Sequence, residues 1–269
     1  HIASDDLGSK IGFAGIRFLF AGILVTILAI IQKRKFKVEQ KSVVAWLLLF
    51  AMVNTALHYL FSYVGLGYLP SSRSTILDSM NGFFAIILSC IIFEDDKFSK
   101  FKALGCILGF SGILLINIEP GQNFFQGISF RGDGMILLNA MCGAFGGIIT
   151  RIISKKMDMT VATSLSMTIG GAFLCVVSAI IGPAARWTIT TESIIIMIGL
   201  ILISAVCFGV YNQLLAYHPI SKIAIFNAFI PILGVIFSSI ILGEPMRVKY
   251  IIAGCIVALG VYVMNHFSK

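Results

Sequence analysis

Residues 193–215 read SIIIMIGLILISAVCFGVYNQLL and contain no charged side chain. A helix needs roughly 20 apolar residues to cross hydrocarbon about 30 Å thick, so this stretch is long enough to span a membrane. The whole chain of 269 residues is similar, with 58% hydrophobic residues, 12% charged residues and a mean hydropathy of +0.98. That composition excludes a water-soluble globule, a disordered chain and a small disulfide-rich scaffold.

Similar apolar stretches recur along the sequence and predict an all-α integral membrane protein, a polytopic helical bundle. Long continuous runs favour helices, because the strands of a membrane barrel are shorter and alternate polar with apolar residues. Nine spans are predicted, at 11–31, 43–66, 73–93, 101–118, 133–152, 160–181, 193–215, 221–243 and 249–267.

Basic residues predict the orientation of the spans, because cytoplasmic loops of membrane proteins retain lysine and arginine. Thirteen of them fall on the side of the loop at 33–37 and six on the opposite side, which predicts a cytoplasmic C-terminus. The net charge of +8 is therefore interpreted as an orientation signal and not as a nucleic-acid surface. Residues 1–10 are predicted to form an external loop, not a signal peptide, and an upstream helix is expected to be absent from this chain.

An internal repeat with an offset of 148 to 150 residues links the two halves of the sequence. The stretch 68–70 matches 217–219, Glu94 matches Glu244, and the Gly-Cys pair at 105–106 matches 254–255. Repeats of five helices each cross the membrane in opposite senses, an architecture common among secondary transporters. We expect a first repeat over 1–118, an external linker over 119–132 and a second repeat over 133–269. The alternative is a chance likeness between apolar helices.

The second half contains Ile241-Leu242-Gly243-Glu244-Pro245 between the stretches 220–231 and 254–260, and the first half has a weaker version over 68–112 and Ile16-Arg17-Phe18. In these residues the chain resembles the EamA-type drug/metabolite transporter superfamily. The resemblance implies ten helices in two inverted five-helix repeats, a cavity between the repeats, two cytoplasmic termini, and export across a bacterial cytoplasmic (inner) membrane. The chain departs from the family pattern at Asn81, where proline is frequent, and in the first helix, which is missing.

Three ionisable residues lie well inside predicted spans, where a charged group is costly unless it lines a wet cavity or has a partner. Arg17, His58 and Asp78 all lie roughly 7–12 Å below the outer surface at 1.5 Å per residue, so we expect them to meet. In a transporter, Asp78 and His58 would contact a polar substrate or take up a proton, with Arg17 as the counter-charge. The alternative is a permanent ion pair between Arg17 and Asp78, or snorkelling, with His58 bonded to a carbonyl group.

Uncharged polar and aromatic residues extend the candidate substrate site. Asn54, Asn81 and Asn139 are predicted near the middle of their spans, and Asn227 in the inner half. Each asparagine fits equally well a role in joining helices by hydrogen bonds. The aromatic residues predicted to shape the site, with Tyr59 and Phe208 as substrate contacts, are Tyr59, Tyr63, Phe83, Phe84, Phe208, Tyr211 and Phe226. The alternative for each of them is packing between helices or contact with lipid.

Other chemistries have no supporting motif. The sequence contains no phosphate-binding loop, zinc-protease motif or serine-hydrolase motif, and its four histidines are scattered. We therefore predict no enzyme activity, no cofactor and no metal site. Small residues four apart predict close helix packing at Gly105/Gly109, Gly143/Gly147 and Gly254/Ala258, and Pro231 is predicted to bend its helix.

The sequence thus predicts a secondary transporter that moves a small organic solute by alternating access. Because the spans hold few fixed cations, sugar phosphates are disfavoured, and a zwitterion such as an amino acid or an amphipathic metabolite is expected. The predicted partners are this solute, the lipid bilayer and protons; no nucleic acid is expected, and a homodimer is left open. The alternative function is a non-transporting receptor or scaffold, and a membrane enzyme ranks third.

Overall fold

The computed structural model of the protein describes residues 6–36, 41–93, 99–117, 128–182, 190–218, 223, 229–245 and 247–266. Over these ranges the chain is helical and contains no strand. Six described stretches are long and apolar enough to cross a membrane: Leu7–Ile31, Ser42–Leu66, Ser71–Ile92, Phe130–Ile153, Met159–Ile181 and Thr191–Tyr217. The predicted all-α, multi-pass membrane fold is confirmed.

The helices follow the predicted spans. In chain order they are α1 (Leu7–Ile31), α2 (Lys41–Ala51), α3 (His58–Leu66), α4 (Ser71–Asp78), α5 (Met80–Ile92), α6 (Lys100–Asn117), α7 (Met135–Ile153), α8 (Met159–Ile181), α9 (Thr191–Tyr217), α10 (Phe229–Leu242) and α11 (Val248–His266). Residues 224–228 lie outside the described ranges, so the bend expected at Pro231, in the first turn of α10, stays a prediction.

Two spans contain an interruption that the apolar pattern does not show. A π-helical turn over Met52–Leu57 separates α2 from α3. In the next span the α-helix breaks at Ser79, directly after Asp78, and the Ser79 hydroxyl donates a hydrogen bond to the Ile76 carbonyl oxygen. Such breaks are uncommon in helices and occur frequently at functional sites.

The chain divides into two compact units. Unit 1 comprises residues 1–63 and 146–217, and unit 2 comprises residues 64–145 and 218–269. Each unit takes helices from both halves of the sequence, so neither coincides with a predicted repeat. The repeat boundaries at 118 and 133 stay a prediction, because they describe sequence similarity and the units describe packing.

In unit 1, glycines bring the backbones of α1 and α8 together. A Cβ atom added to Gly15 would lie 2.7 Å from the Cys175 nitrogen, and one added to Gly171 would lie 2.9 Å from the Gly15 carbonyl oxygen. Neither distance leaves room for a side chain. The core of this unit lies beside the crossing and includes the fully buried side chains of Phe18, Phe50, Ile153 and Met167.

In unit 2, α6 and α11 cross at Gly105 and Gly109, as predicted. A Cβ atom added to Gly260 would lie 2.8 Å from the Gly105 oxygen and 3.1 Å from the Gly109 nitrogen. Gly147 and Gly254, one member of each of the other two predicted pairs, show only ordinary contacts, with nearest distances of 3.8 and 3.6 Å. The core of the unit is built around the fully buried Ile76, Leu77, Met80 and Phe83.

Large apolar side chains also remain outside both cores. Ile180, Ile195 and Ile240 are 78%, 64% and 73% exposed, although each lies on an apolar helix. In α9, only 17% of the apolar 18-residue stretch that could span a membrane is buried. Lipid tails are the solvent that such faces require, which agrees with the membrane assignment.

Candidate functional site

A hydrogen-bonded carboxylate lies inside unit 2. Asp78 is the last residue of α4, and the Asn139 side-chain amide of α7 donates a hydrogen bond to its Oδ1 atom at 2.6 Å. Asn139 is 3% exposed, and both residues lie within stretches of membrane-spanning length. A carboxylate in such surroundings is costly unless polar groups stabilise it, so Asn139 compensates part of the cost of holding Asp78 there.

Two further polar residues flank Asp78 on the same span. Ser74 precedes Asp78 by one helical turn, is 4% exposed, and its hydroxyl has no hydrogen-bond partner among the described residues. Asn81 follows the break at Ser79 and is half-buried on α5. A buried hydroxyl without a partner is rare in folded proteins, so Ser74 adds an unsatisfied polar group one turn before Asp78.

Arg17 has a neutral partner in unit 1. Its Nε atom donates a hydrogen bond to the Ser204 hydroxyl of α9 at 2.7 Å, and its guanidinium carbon lies 5.0 Å from the centre of the Phe18 ring. The Ser204 hydroxyl in turn donates to the Leu200 carbonyl oxygen. In the described part of unit 1 no carboxylate forms an ion pair with Arg17, so these contacts hold the cation without neutralising it.

Phe18, Tyr59 and Phe208 form an aromatic cluster beside Arg17. The Phe18 ring centre lies 4.0 Å from that of Tyr59 and 5.7 Å from that of Phe208, and the rings of Tyr59 and Phe208 are 5.9 Å apart. His58, the first residue of α3, packs edge-on against Tyr59 at 4.8 Å. The structure therefore brings four of the predicted site residues together around Phe18, which sequence reasoning did not identify as their centre.

Asn54 lies in the π-helical turn of unit 1. A Cβ atom added to Gly146 would lie 2.6 Å from the Asn54 Oδ1 atom, so the glycine makes room for this side chain. The Asn54 Nδ2 atom is buried and has no hydrogen-bond partner among the described residues. The next residue, Thr55, exchanges a hydrogen bond with Ser166 at 3.1 Å.

A polar face on α8 was missed by the sequence analysis. Its hydroxyl groups at Thr160, Thr163 and Ser166 recur every third residue, and this spacing is the sequence signal that would have identified the face. The Thr163 and Thr160 hydroxyls accept hydrogen bonds from Asn212 and Gln213 of α9 at 3.1 and 2.9 Å. These bonds join α8 to α9 and leave the side chains little freedom to bind a solute.

Glu244 caps α4 from the opposite half of the sequence. Gly243, with φ of +66°, turns the chain after α10, and the Glu244 carboxylate then accepts bonds from the Ser71 nitrogen, the Ser72 nitrogen and the Ser72 hydroxyl at 2.7, 3.0 and 2.6 Å. Burial raises the pKa of Glu244, but these hydrogen bonds outweigh burial, and the pKa lies below its ordinary value of 4.5. The residue stabilises the start of the helix that ends at Asp78.

An ion pair joins α4 to the π-helical turn that precedes α7. Arg73 contacts the Asp133 Oδ1 atom through Nε at 2.8 Å and through Nη2 at 2.7 Å. The Asp133 side chain is 4% exposed, and its Oδ2 atom accepts a hydrogen bond from the Ser129 nitrogen at 2.9 Å. Through this pair the π-helical turn at Phe130–Gly134 is bonded to the first turn of α4.

The predicted site residues thus fall into two groups. Arg17, Asn54, His58, Tyr59 and Phe208 belong to unit 1, and Asp78, Asn81 and Asn139 to unit 2. Asn227 lies outside the described residues. The meeting of Arg17, His58 and Asp78, and contact of any of these residues with a substrate, stay predictions.

Comparison with known proteins identifies the family of this protein. The model of the EamA-like transporter family matches residues 2–118 and 130–266. The chain belongs to this family. Family membership makes it a membrane transporter, as the sequence motifs predicted, and points away from an enzyme.

Relatives of this EamA-like transporter occur in bacteria and plants. The uncharacterized transporter YvbV of Bacillus subtilis is 26% identical over 96% of the chain and 83% of its own length. The WAT1-related chloroplastic protein At3g02690 of Arabidopsis thaliana is 24% identical over 94% of the chain and 62% of its own length. A solved crystal structure superposes with a TM-score of 0.71 at 11% identity, covering 96% of this chain and 88% of the other, which shows the shared fold alone.

Proposed function

We propose that the protein is a secondary transporter that exports a small organic solute from the cell by alternating access, with Asp78 and Asn139 at the centre of its mechanism. The pair supports the proposal because a carboxylate inside a membrane span is costly and is retained mainly where it serves a solute or a proton. The break of the helix at Ser79 places this carboxylate at a helix end, the arrangement in which transporters commonly bind solutes and ions.

The other predicted contacts are assigned secondary roles. Asn81 and Ser74 offer hydrogen bonds beside Asp78, and Asn227 is proposed to do so in the inner half. In unit 1, Asn54, His58, Tyr59 and Phe208 are proposed solute contacts, with Arg17 as the counter-charge. The aromatic cluster supports an apolar or aromatic part in the solute, since such rings favour stacking over hydrogen bonding.

The proposed substrate class is a zwitterion, such as an amino acid, or an amphipathic metabolite. One arginine and one aspartate, each bonded to a neutral side chain, supply one charge of each sign. An anionic sugar phosphate would call for several cations, and the described spans supply few. The amino group of the solute is proposed to bind near Asp78.

The architecture proposed with this function is that of two inverted repeats, over 1–118 and 133–269. The match of the family model to two separate stretches, 2–118 and 130–266, supports it. The C-terminus is proposed to be cytoplasmic, in a bacterial inner membrane, and proton coupling through Asp78 or His58 and a homodimer complete the proposal. The protein is proposed to carry out no catalysis.

The decisive experiment measures transport by the Asp78→Asn variant. Purified full-length protein is first screened by thermal shift against the proteinogenic amino acids and a panel of amphipathic metabolites. Uptake of a radiolabelled stabilising solute into proteoliposomes is then measured at several pH values. We expect Asp78→Asn to lose most of the uptake and its pH dependence, because the amide has nearly the same shape but neither charges nor takes up a proton.

The matched control is Asp6→Asn, since asparagine also caps a helix and Asp6 lies at the start of α1. The control is expected to transport like the wild type. Equal uptake and an equal pH response in both variants would remove Asp78 from the mechanism. If no solute stabilises the wild type and none is taken up, a receptor or scaffold becomes the better account.

A further inference from the structure

A basic cavity lies in unit 1, and none of the predicted substrate-site residues lines it. Its volume is about 670 Å³, and it is formed where the end of α1 meets the connection between α7 and α8. The residues that give the cavity its character are Lys33, Arg34, Lys35, Lys156, Met157 and Asp158. Both segments belong to loops that the charge distribution places on the cytoplasmic side.

The cavity holds a surplus of positive charge. Four cations and one carboxylate line it, which leaves a net charge of +3. Asp158 lies 3.4 Å from Arg34, but its Oδ1 atom also accepts hydrogen bonds from the Thr160 and Val161 nitrogens as the cap of α8. The three lysines have no acidic partner among the described residues, so the cavity is not neutralised by its own lining.

The backbone holds these cations in one place. Lys33 has a φ of +53°, the left-handed conformation that glycine usually provides at a helix end. The Arg34 nitrogen donates to the Ala29 carbonyl oxygen at 2.9 Å, which closes the last turn of α1. The closed turn fixes the backbone from which the Lys33 and Arg34 side chains extend.

Apolar surroundings distinguish a lipid from a free anion. Ile30 and Ile31, just before the basic segment, are 60% and 69% exposed, and Phe36, just after it, is 42% exposed. These side chains lie at the end of a span, so the acyl chains of a bound lipid would contact them while its phosphate would contact the cations. Basic pockets between spanning helices on the cytoplasmic side bind anionic lipid headgroups in other membrane proteins.

We propose that this cavity is a binding site for the phosphate group of an anionic phospholipid, with Lys33, Lys35 and Lys156 as the main contacts. The phosphate diester supplies the negative charge, and the acyl chains lie against the exposed isoleucines of α1. The site is separate from solute transport, so the proposal does not depend on the identity of the transported solute.

The test is a binding titration of the purified full chain in detergent, followed by native mass spectrometry and thermal unfolding. The probes are dioleoylphosphatidylglycerol, dioleoylphosphatidylcholine, glycerol 3-phosphate and inorganic phosphate. The wild type should bind phosphatidylglycerol at least about tenfold more tightly than phosphatidylcholine. The variant Lys33→Gln/Lys156→Gln should weaken phosphatidylglycerol binding about 30-fold, about fivefold for each lysine.

The matched control is Lys100→Gln/Lys155→Gln, which removes the same charge from exposed lysines that do not line the cavity. It should change phosphatidylglycerol binding less than about threefold. The variant Lys33→Arg/Lys156→Arg should keep the binding and separates loss of charge from misfolding. Equal binding of both lipids, an equal loss in the control, or protection by inorganic phosphate that matches that of phosphatidylglycerol would overturn the proposal.

Discussion

Replacement of Glu244 by glutamine tests the link between the two halves of the sequence. The carboxylate accepts three hydrogen bonds at the start of α4, two from backbone nitrogens and one from the Ser72 hydroxyl. Glutamine keeps one acceptor oxygen but turns an NH₂ group toward these donors. Charge-assisted bonds contribute about 1.5–3 kcal/mol each and the helix dipole about 0.3–1 kcal/mol. With a discount for the partial exposure of the side chain, we expect a loss of about 2 kcal/mol.

The assay is thermal unfolding of the purified protein in detergent, at matched pH values. A loss of about 2 kcal/mol corresponds to a fall of about 4–8 °C in the unfolding midpoint for a chain of this size. Because the pKa of Glu244 is lowered on folding, its contribution is fully present above the ordinary pKa of 4.5 and is lost as the pH falls through the folded pKa. The difference between wild type and Glu244→Gln should therefore shrink at acidic pH.

The control is Glu192→Gln, because this exposed carboxylate in the first turn of α9 has no hydrogen bond among the described contacts. Its replacement should shift the midpoint by about 1 °C or less. A Glu244→Gln protein that unfolds with the control, at every pH, would show that the contact does not stabilise α4.

Two further predictions concern packing and charge within the units. Gly171→Ala should destabilise unit 1 by about 1–3 kcal/mol, because the new Cβ meets the backbone of α1, whereas Gly199→Ala, with open space around it, should be neutral or stabilising in the same unfolding assay. Asp133→Asn removes the carboxylate that Arg73 contacts and should cost about 3–5 kcal/mol, and the double variant Asp133→Asn/Arg73→Met should recover part of that loss; no recovery would mean that the ion pair is not the cause.

The fold was predictable because each membrane-spanning helix corresponds to one continuous apolar run of about 20 residues. Length and continuity of apolar runs place the helix ends within a few residues, as for the predicted span 160–181 and the observed Met159–Ile181. The close helix crossing at Gly105 and Gly109 was also predictable, because two glycines four residues apart form a short sequence pattern. The crossing of α1 and α8 at Gly15 and Gly171 was missed, since the two glycines belong to helices far apart in the chain and form no short motif.

The candidate site was predictable only as a set of residue types. Depth along a helix selected Asp78 and Asn139 as candidates, because polar groups are rare inside spans, but depth does not determine which side chains meet. Asn139 turned out to be the donor to Asp78, and Ser204 the partner of Arg17. The sequence showed Glu244 only as the repeat match of Glu94, and the helix start it caps lies more than 170 residues away.

The interruptions in the spans and their polar side chains have a common physical cause. In hydrocarbon every backbone group needs a partner, so a break in a helix persists only where protein groups satisfy the freed donors and acceptors. At Ser79 the hydroxyl of the residue itself donates a hydrogen bond to the Ile76 carbonyl oxygen. In the π-helical turn the Thr55 side chain is bonded to the Ser166 hydroxyl of α8. Because each break must be stabilised by polar groups, the positions of Asn54 and Asp78 at these breaks reflect a cost that packing alone does not require. Asn54 and Asp78 are therefore the two side chains at which substitution tests transport most directly.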